Sequence, residues 1–457
     1  MKMNLPFLDR AEASAILSAV VILTITGTSS NSCRGAVPEP TEPSPQDNRR
    51  NPQAIANLKE GRTRIANAAW WGFDPVDATD ALQSAIDSGA AKVVVPYVGT
   101  DWNVRPLRLS SRQEIFFAPG VIVVAKKGNF GGPQDCLFRG QVVDHVALRG
   151  YGALLRMRKE EYRERDYEKS EFRHILGLFG ATDVTVQGLT LESSGGDGIY
   201  LGPTWDKRRI PCRRIRIEDC VLADNFRQGI SIVSAETVRI ENCILRDTRG
   251  TSPQAGIDFE PADGSDLLVD IEVRNCVAEN NAGGGFAVGL SRLNERSTPV
   301  SLKIVNCLIR GPRSLGILAL LKTDKRASGT VEFQDCTCEN VDYPGVFCVW
   351  NTASQLKLRF INCKWRNVAQ RSRETPIVLE LLQEATAAQK SVIEFVNCYV
   401  YDDKDRPFAK AMGAGAGAEN PAVTGAFTVI NPHGGRLAAF SAKALNGVHV
   451  RYTANHD

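Results

Sequence analysis

Two carboxylates stand close together in the segment GIDFE, which begins at Gly256. If this segment is a β-strand, the side chains of Asp258 and Glu260 share one face, because residues two apart point the same way. No Lys or Arg within the segment neutralises them. A carboxylic acid with a raised pKa can protonate a leaving oxygen while a second carboxylate activates water. The pair therefore predicts hydrolysis of a glycosidic bond.

The spacing of this pair bears on the type of hydrolysis. Cα atoms two residues apart on a strand are separated by ~6.7 Å. Carboxyl groups that splay from them fall near the ~6.5–9.5 Å of inverting glycosidases, although their rotamers could bring them to the retaining distance. Asp197 lies two repeats earlier in the pattern described below, and hence ~9.6 Å away, so it is an alternative partner for Asp258.

A second reaction class, β-elimination, needs a base that removes the proton beside a uronate carboxylate and a cation that neutralises this carboxylate. His174 or Tyr200 could be the base, with Arg173, Arg227 or a carboxylate-held Ca²⁺ as the neutralising group. An epimerase would use the same groups and return the proton to the opposite face. The sequence leaves hydrolysis, β-elimination and epimerisation open.

Further polar residues lie in the turns and loops beside these candidates and are predicted to bind substrate. They are Arg173, Arg227, Gln228, Ser231, Gln254, Trp205 and Lys207. Trp205 and Lys207 belong to the basic loop WDKRRIPCRR, a natural contact for an acidic sugar chain. Structural roles are the competing hypotheses: Asp197 could serve a tight turn, His174 could be a buried structural histidine, and the basic loop could simply be solvated.

The elements that must position these residues follow from a phrase that returns seven times between Arg214 and Cys398. Each copy is an alternating apolar run followed by Asp or Asn and then Cys, at intervals of roughly 23 to 35 residues. The copies are IRIEDC, VRIENC, IEVRNC, LKIVNC, VEFQDC, LRFINC and IEFVNC, which end at Cys220, Cys243, Cys276, Cys307, Cys336, Cys363 and Cys398. Alternation predicts strands, and repeats of this length predict a solenoid.

A second phrase interleaves with the first and supplies another strand to each coil. Its copies are GIYLG, GISIV, GIDFE, GFAVG, GILAL, GVFCV and PIVLE. Equivalent strands would stack in parallel ~4.8 Å apart, and the crossover rule makes the winding right-handed. The predicted fold is therefore all-β, a right-handed parallel β-helix. Alternation places an outer column along successive coils at Tyr200, Ser231, Asp258, Ala287, Leu318 and Phe347, and a second one at Glu260, Gly289, Leu320 and Val349.

The repeated cysteines are predicted to be scaffold rather than disulfides or metal ligands. Stacked side chains ~4.8 Å apart are wider than disulfide geometry prefers, and free Cys behaves as a small buried hydrophobe. The Asp or Asn before each Cys is expected at the turn, with its side chain bonded to local backbone.

The segment before these coils predicts one short helix and the first strands. DATDALQSAIDSG has Asp77 as a candidate N-cap, an apolar side suited to covering the open end of a β-helix, and Gly89 at its end. KVVVP, EIFFAPG and VIVVAKKG then read as strands of the opening coils. A charged insert over residues 155–174 reads either as a solvated segment or as a flap that contributes Tyr162, Tyr167 and Arg173.

On this helix, its VVVP strand and the following Pro-Gly-Val strand, the chain resembles the pectate-lyase-like superfamily over roughly residues 65–410. The resemblance implies a polysaccharide-acting β-helix. GGDGI is similar to the Asp-rich strand of polygalacturonase-type hydrolases, and RQGIS is similar to their GHGIS strand. Gln228 replaces the histidine of that motif, and no matching Arg-x-Lys follows, so their catalytic triad does not carry over. The DPHE motif of alginate epimerases is also absent, and GIDFEP resembles it only loosely.

The composition and the two ends of the chain complete the prediction. The net charge of +3 over 457 residues does not argue for nucleic acid. Residues 1–33 are predicted to be a signal peptide, with Cys33 as a candidate lipid-attachment site and the one predicted link to a membrane. Residues 34–60 are predicted to be a Pro-rich tether, 61–410 the β-helix, and 411–457 a flexible bridge with capping strands.

Together these features predict a secreted or surface-tethered protein that cleaves a polysaccharide. This polysaccharide is expected to be acidic. The alternative is a non-catalytic β-helix that binds glycans or serves as a scaffold. Ca²⁺ is a candidate cofactor of the lyase mechanism alone.

Overall fold

The computed structural model describes residues 50–321, 327–350, 355–371, 374–382, 392–413, 423–433, 436–437, 445 and 447–453. Within these ranges the chain is built almost entirely from parallel strands, numbered here β1 to β34 along the sequence. The predicted signal peptide, its Cys33 and most of the predicted tether lie outside the described residues.

One sheet of twelve strands, here called sheet 1, collects the Gly-led phrases of the sequence. Each of its strands pairs in parallel with the equivalent strand of the coils before and after. The strands are β4 (Leu107–Arg108), β7 (Phe138–Gln141), β9 (Leu176–Phe179), β11 (Asp197–Gly202), β14 (Gln228–Ile232), β17 (Ala255–Phe259), β20 (Gly284–Gly289), β23 (Ile317–Leu321), β26 (Val346–Trp350), β29 (Ile377–Leu381), β31 (Pro407–Met412) and β33 (Arg436–Leu437).

The other described strands form a sheet of 22 strands, here called sheet 2, which runs as two columns around the rest of each coil. The first column contains β1 (Ile65–Asn67), β2 (Lys92–Val95), β5 (Gln113–Phe117), β8 (Asp144–Arg156), β10 (Thr182–Glu192), β12 (Cys212–Glu218), β15 (Ala235–Glu241), β18 (Leu268–Arg274), β21 (Val300–Val305), β24 (Ser328–Gln334), β27 (Gln355–Ile361), β30 (Val392–Tyr401), β32 (Val423–Ile430) and β34 (Gly447–Thr453). The second column adds β3 (Trp102–Val104), β6 (Ile122–Ala125), β13 (Val221–Ala223), β16 (Ile244–Arg246), β19 (Val277–Glu279), β22 (Leu308–Arg310), β25 (Thr337–Glu339) and β28 (Lys364–Arg366). The long strands β8, β10 and β30 pair within both columns.

This arrangement confirms the predicted right-handed parallel β-helix, with the hand given by the crossover rule. Its interior is a stack of apolar side chains from equivalent positions in register, such as Ile199, Ile230, Ile257 and Phe286, each of them fully buried. Burying a side chain of this size contributes about 1.5–3 kcal/mol. Toward the C-terminal coils the stacked side chains become aromatic. The ring centroids of Phe333 and Phe360, for example, lie 5.4 Å apart, and the two rings are nearly parallel.

Two short α-helices precede the coils: α1 (Pro52–Lys59) and α2 (Thr79–Ile86). Helix α1 falls within the range that the sequence assigned to the tether. Helix α2 is the predicted one, and its apolar side is buried in the core. The carboxylate of Asp77 accepts a hydrogen bond from the main-chain N–H of Thr79 at 3.1 Å and also binds Lys126, which fixes the start of α2 against the neighbouring coil.

The described cysteines are buried and form no disulfides, as predicted. They are Cys136, Cys212, Cys220, Cys243, Cys276, Cys307, Cys336, Cys338, Cys348, Cys363 and Cys398. The repeated cysteines donate their S–H groups to main-chain carbonyls, as Cys243 does to Glu241 at 3.3 Å. They therefore fill the core at the corner of each coil.

The expectation for the residue before each cysteine is only half right. These Asp and Asn residues stand at the turn with φ near +50°, the left-handed conformation that Asx residues tolerate best. Their side chains, however, bond one another rather than local backbone. Asn306 donates to Asn275 at 2.8 Å and Asn362 donates to Asp335 at 2.9 Å, so the turns are joined along the axis by an exposed ladder of amides.

Beyond 410 the coil continues, because β32 and β34 pair in parallel with the strand before each. In the described part of the chain, no helix has the length and apolar character needed to span a bilayer.

The buried state of the cysteines predicts their reactivity. Burial raises the pKa of Cys136 to about 12 and that of Cys212 to about 11, and the thiolate is the reactive form. We expect a thiol-specific disulfide reagent to react with almost none of the described cysteines in the folded chain. All eleven of them should react without any reductant once the chain is unfolded in guanidinium chloride. A smaller yield from the unfolded chain would contradict the all-thiol core.

Candidate active site

The outer face of sheet 1 carries the predicted column of side chains in register. Tyr200 pairs with Ser231, Ser231 with Asp258, and Asp258 with Ala287, and the column continues through Leu318 to Phe347. The parallel column of Gly289, Leu320 and Val349 is also in register. Their neighbours along the chain, such as Ile199, Ile230 and Ile257, lie in the apolar core, which agrees with the faces assigned from alternation.

A buried ion pair lies at the start of this face. The Nε and Nη2 atoms of Arg227 each donate to one carboxylate oxygen of Asp197, both at 2.9 Å. Nη2 also donates to the hydroxyl of Ser231 at 3.1 Å. Burial alone would lower the pKa of Arg227, but the charge and hydrogen bonds of Asp197 raise it above its ordinary value. Arg227, Ser231 and Asp197 therefore hold each other.

His174 supports this pair from the preceding coil. The main-chain N–H of Asp197 donates to Nδ1 of His174 at 3.1 Å. That N–H can only donate, which favours an unprotonated Nδ1 with the ring proton on Nε2; Nδ1 also lies 3.3 Å from Oδ2 of Asp197. Burial, helped by the charges of Arg227 and Arg139, lowers the pKa of His174 to about 4 against the opposing charge of Asp197. The imidazole is neutral near pH 7, and its Nε2 has no hydrogen-bond partner among the described residues.

Asp258 is held by Gln228. The amide oxygen of Gln228 accepts from the main-chain N–H of Ala255 at 2.8 Å, which fixes which end of the amide carries its hydrogens. The amide nitrogen then donates to Oδ2 of Asp258 at 3.1 Å. Oδ2 is therefore an acceptor, which favours Oδ1 as the position of a proton carried by this carboxyl group.

Asp258 and Glu260 differ sharply in their surroundings. Asp258 is 2% exposed, whereas Glu260 is an exposed residue. Burial, together with the negative charge and hydrogen bond of Glu260, raises the pKa of Asp258 well above its ordinary value, against the opposing charge of Arg227. The two carboxyl groups, here called the dyad, are close enough for the charge of Glu260 to act on Asp258.

The floor beside this dyad is open. Ala287 and Gly289 are the next residues in the columns of Asp258 and Glu260. A Cβ atom at Gly289 would touch nothing nearer than Cγ of Glu260 at 3.8 Å, and Gly289 has ordinary strand dihedral angles. Space for a ligand therefore adjoins the exposed carboxylate.

On the N-terminal side of the dyad an aromatic cluster covers the face. Tyr200 stacks on His174 with the ring centroids 4.7 Å apart, and its other neighbour is Phe179 at 5.3 Å. The Tyr200 ring lies across Gly202, where a Cβ atom would come within 2.3 Å of it, so only glycine fits there. Trp205 packs its edge against Phe179 at 5.0 Å and is 47% exposed. Burial raises the pKa of Tyr200 above its ordinary value.

Three residues predicted to bind substrate have other surroundings. Arg173 is buried, and its guanidinium donates to the main-chain oxygens of Phe130, Gly131 and Glu168 while lying near the rings of Tyr162 and Tyr167. It thus ties down the charged insert, in which Tyr162 and Arg173 are buried while residues 163–166 are exposed. Gln254 accepts from the main-chain N–H of Gly250 in a turn, and Lys207 is exposed on its loop.

Sequence reasoning missed two residues of the cluster, Arg139 and Phe179. Arg139 pairs in register with Gly177, and Gly177 with Tyr200, so Arg139 belongs to the same outer column. The short alternation in LFRGQ was the feature that could have revealed it, because Phe138 is fully buried and Arg139 is not. The described residues contain no group of three or more His, Cys, Asp or Glu arranged to hold a metal ion.

Comparisons with known proteins identify the fold. A family described as the right handed beta helix region matches residues 168–260. The chain has the pectate-lyase-like fold. Among solved structures, the family 28 exopolygalacturonase of Yersinia enterocolitica is similar with a TM-score of 0.55 and 13% identity, over 86% of this chain and 78% of that one. No curated protein matches the sequence.

Two other structures share the pectate-lyase-like fold. The tailspike protein of E. coli bacteriophage HK620, in complex with a pentasaccharide, has a TM-score of 0.54 and 11% identity, over 81% of this chain and 67% of that one. The A-module of mannuronan C-5 epimerase AlgE4 from Azotobacter vinelandii has a TM-score of 0.50 and 13% identity, over 85% of this chain and 98% of that one. At these identities the likeness concerns the fold alone.

The buried pair predicts a large and asymmetric effect on stability. Replacing Arg227 by Met leaves the Asp197 carboxylate buried without a partner, which should lower the free energy of unfolding by about 3–5 kcal/mol. Adding Asp197→Asn to that variant should recover part of the loss, since the stranded charge is removed. Denaturant unfolding measures both variants. Arg208→Met, which breaks the surface pair with Asp206, is the matched control and should change stability little; an equal loss in the control would contradict the assignment.

His174 predicts a pH dependence of stability. Its pKa is about 4 in the folded chain and about 6.5 when unfolded, so between these values the unfolded chain binds more protons. Stability should therefore fall as the pH drops from about 6.5 to about 4, by up to about 3 kcal/mol from this group. Unfolding measured against pH should show this loss in the parent and not in His174→Asn. His145→Asn, at an exposed histidine, is the control; parallel pH profiles for the parent and His174→Asn would refute the prediction.

Proposed function

We propose that this protein hydrolyses a glycosidic bond of a polysaccharide, with Asp258 as the general acid. The observation that carries the proposal is a buried carboxyl group on the outer face of sheet 1 whose pKa is raised, beside the exposed carboxylate of Glu260. A general acid must hold its proton near neutral pH, and burial beside a like charge is the arrangement that achieves this.

In the proposed reaction the proton on Oδ1 of Asp258 passes to the glycosidic oxygen as the bond between that oxygen and the anomeric carbon breaks. Glu260 either removes a proton from the water that attacks this carbon or attacks it directly. Gln228 keeps Oδ2 of Asp258 occupied, which leaves Oδ1 as the proton donor. Because Glu260 is exposed, its side chain is free to turn from Asp258 toward a sugar or water above Gly289.

Hydrolysis is better supported than β-elimination or epimerisation. The acceptor nitrogen of His174 is already bonded to a main-chain N–H, and the ring is buried. Tyr200 is buried with a raised pKa, so a tyrosinate base is costly to form. The charge of Arg227 is neutralised by Asp197, and Arg173 is bonded to carbonyls, so neither is placed to neutralise a uronate.

The proteins with similar structures favour a polysaccharide as substrate. They include an exopolygalacturonase, a mannuronan epimerase and a tailspike that holds a pentasaccharide. A polymer of this kind lies outside the cell membrane, which agrees with the proposed signal peptide over residues 1–33 and with attachment through Cys33. The proposed extracytoplasmic location rests on these two points.

The decisive experiment compares Asp258→Asn, Glu260→Gln and the double variant on a panel of acidic and neutral polysaccharides. Reducing ends report any cleavage, and ultraviolet absorbance of unsaturated uronates reports elimination. We expect the parent to release reducing ends without that absorbance, and each variant to be slower by about 10²–10⁴-fold. Because the acid must be protonated, activity of the parent should fall as the pH rises through the pKa of Asp258.

Glu236→Gln on sheet 2, where the carboxylate pairs with Arg213, removes one negative charge elsewhere and is the matched control. Full turnover in the double variant would refute the proposed roles. Absorbance that rises with the reducing ends would replace hydrolysis by elimination. Polysaccharide binding that survives in the double variant, with no products from the parent, would instead establish the alternative of a non-catalytic glycan-binding β-helix.

A further inference from the structure

Two arginines stand in adjacent coils at the N-terminal end of sheet 1. Arg108 pairs in register with Arg139 on the outer column that continues to Tyr200. Equivalent strands are ~4.8 Å apart, so two positive charges are held side by side on one face. Like charges at such a distance repel each other, and an anion beside them would remove that cost.

These two arginines lack the acidic partners that their neighbours have. Arg208, Arg209 and Arg227 pair with Asp206, Asp266 and Asp197 at 2.7–2.9 Å. Within the described ranges, neither Arg108 nor Arg139 pairs with a carboxylate. The guanidinium of Arg139 reaches Oε1 of the exposed Gln141 at 3.4 Å from both Nε and Nη2, which is longer than an ordinary hydrogen bond. Its hydrogen-bonding capacity is therefore largely unused.

The side chain of Arg139 is nevertheless fixed in place. Its Cζ lies 4.1 Å from the ring centroid of Phe179 and 5.0 Å from that of Trp205. Phe179 is 1% exposed, so it forms a rigid base for the half-buried Arg139 and the exposed indole. A guanidinium that stacks on aromatic rings still has N–H donors in its own plane, and these match the two oxygens of a carboxylate.

We propose that Arg108, Arg139 and Trp205 form a subsite for an anionic sugar residue of the polysaccharide. Arg139 binds the carboxylate or sulfate of that residue, Arg108 adds a second positive charge, and the exposed indole of Trp205 packs against the sugar ring. This subsite rests on the proposed function, which supplies the polysaccharide, and it defines the substrate as an acidic one.

The position of the subsite also orients the sugar chain. Arg139 precedes Asp258 by four coils in the same column, through Gly177, Tyr200 and Ser231, a distance of ~19 Å along the axis. A chain that fills both places must run along the face over Tyr200. The anionic residue is thus bound several sugar units away from the bond that the dyad acts on.

Binding measured without turnover tests the subsite independently of the proposed reaction. The full chain carrying Asp258→Asn and Glu260→Gln is titrated with polygalacturonate oligomers, dextran sulfate and neutral dextran. Adding Arg139→Gln or Trp205→Ala should weaken binding of the anionic probes by about tenfold, with a smaller loss for Trp205→Phe. Arg310→Gln on sheet 2, an exposed arginine paired with Glu279, makes the same change in net charge and should leave binding unaltered.

Preference for polygalacturonate over dextran sulfate would assign a carboxylate to the subsite, and equal loss for both would assign any anionic group. Unchanged affinity in Arg139→Gln and Trp205→Ala would overturn the subsite, as would equally tight binding of neutral dextran or no binding of either anionic probe. If the parent chain shows no turnover but Arg139→Gln still loses affinity, the subsite stands and the proposed hydrolysis alone fails. Circular dichroism of each variant confirms that it is folded.

Discussion

The hydrogen bonds between equivalent strands in successive coils set the position of every side chain along the axis, because each residue lies ~4.8 Å from its counterparts in the coils above and below. Residues at one position must therefore tolerate close contact with copies of their own kind. Apolar side chains and thiols do so in the interior, where Ile199, Ile230 and Ile257 stack in register. Amides do so at the turns, where Asn306 donates to Asn275. Ionised carboxylates do not, and the outer face shows how the chain resolves that conflict.

Three carboxylates, Asp197, Asp258 and Glu260, lie on that face close to Arg227. Both oxygens of Asp197 accept hydrogen bonds from Arg227, and the main-chain N–H of Asp197 is bonded to His174, so the charge of Arg227 compensates this buried carboxylate. Asp258 receives only the amide of Gln228 while Glu260 adds a negative charge next to it. The protonated state of Asp258 then has a lower free energy than the ionised state. The same strand spacing that builds the fold thus places one buried carboxylate against an arginine and the other beside a like charge.

The fold and the faces of sheet 1 could be predicted because alternation and a fixed phrase report directly on backbone geometry. Partner choice could not, since long side chains reach across coils in ways that strand register does not determine. Arg173 was predicted to meet substrate but turns to main-chain carbonyls, and Gln228 was predicted to bind sugar but orients Asp258. The Asx side chains bonded along the axis rather than to their own turns for the same reason. Arg139 was not predicted as part of the outer face, because its strand is only four residues long and the alternation within it is correspondingly weak.

The outer face changes character along the axis, and this gradient gives the two proposals a common geometry. N-terminal to the dyad the face carries arginines and exposed aromatic surface at Arg139 and Trp205, whereas C-terminal to it the columns continue with small and then apolar residues at Gly289, Leu318 and Phe347. Charged sugar units lose hydration on an apolar surface without gaining a partner, so an acidic chain is favoured only on the N-terminal side. A bond cleaved at the dyad would therefore leave one product held by the arginines and the other on a surface with little affinity for it.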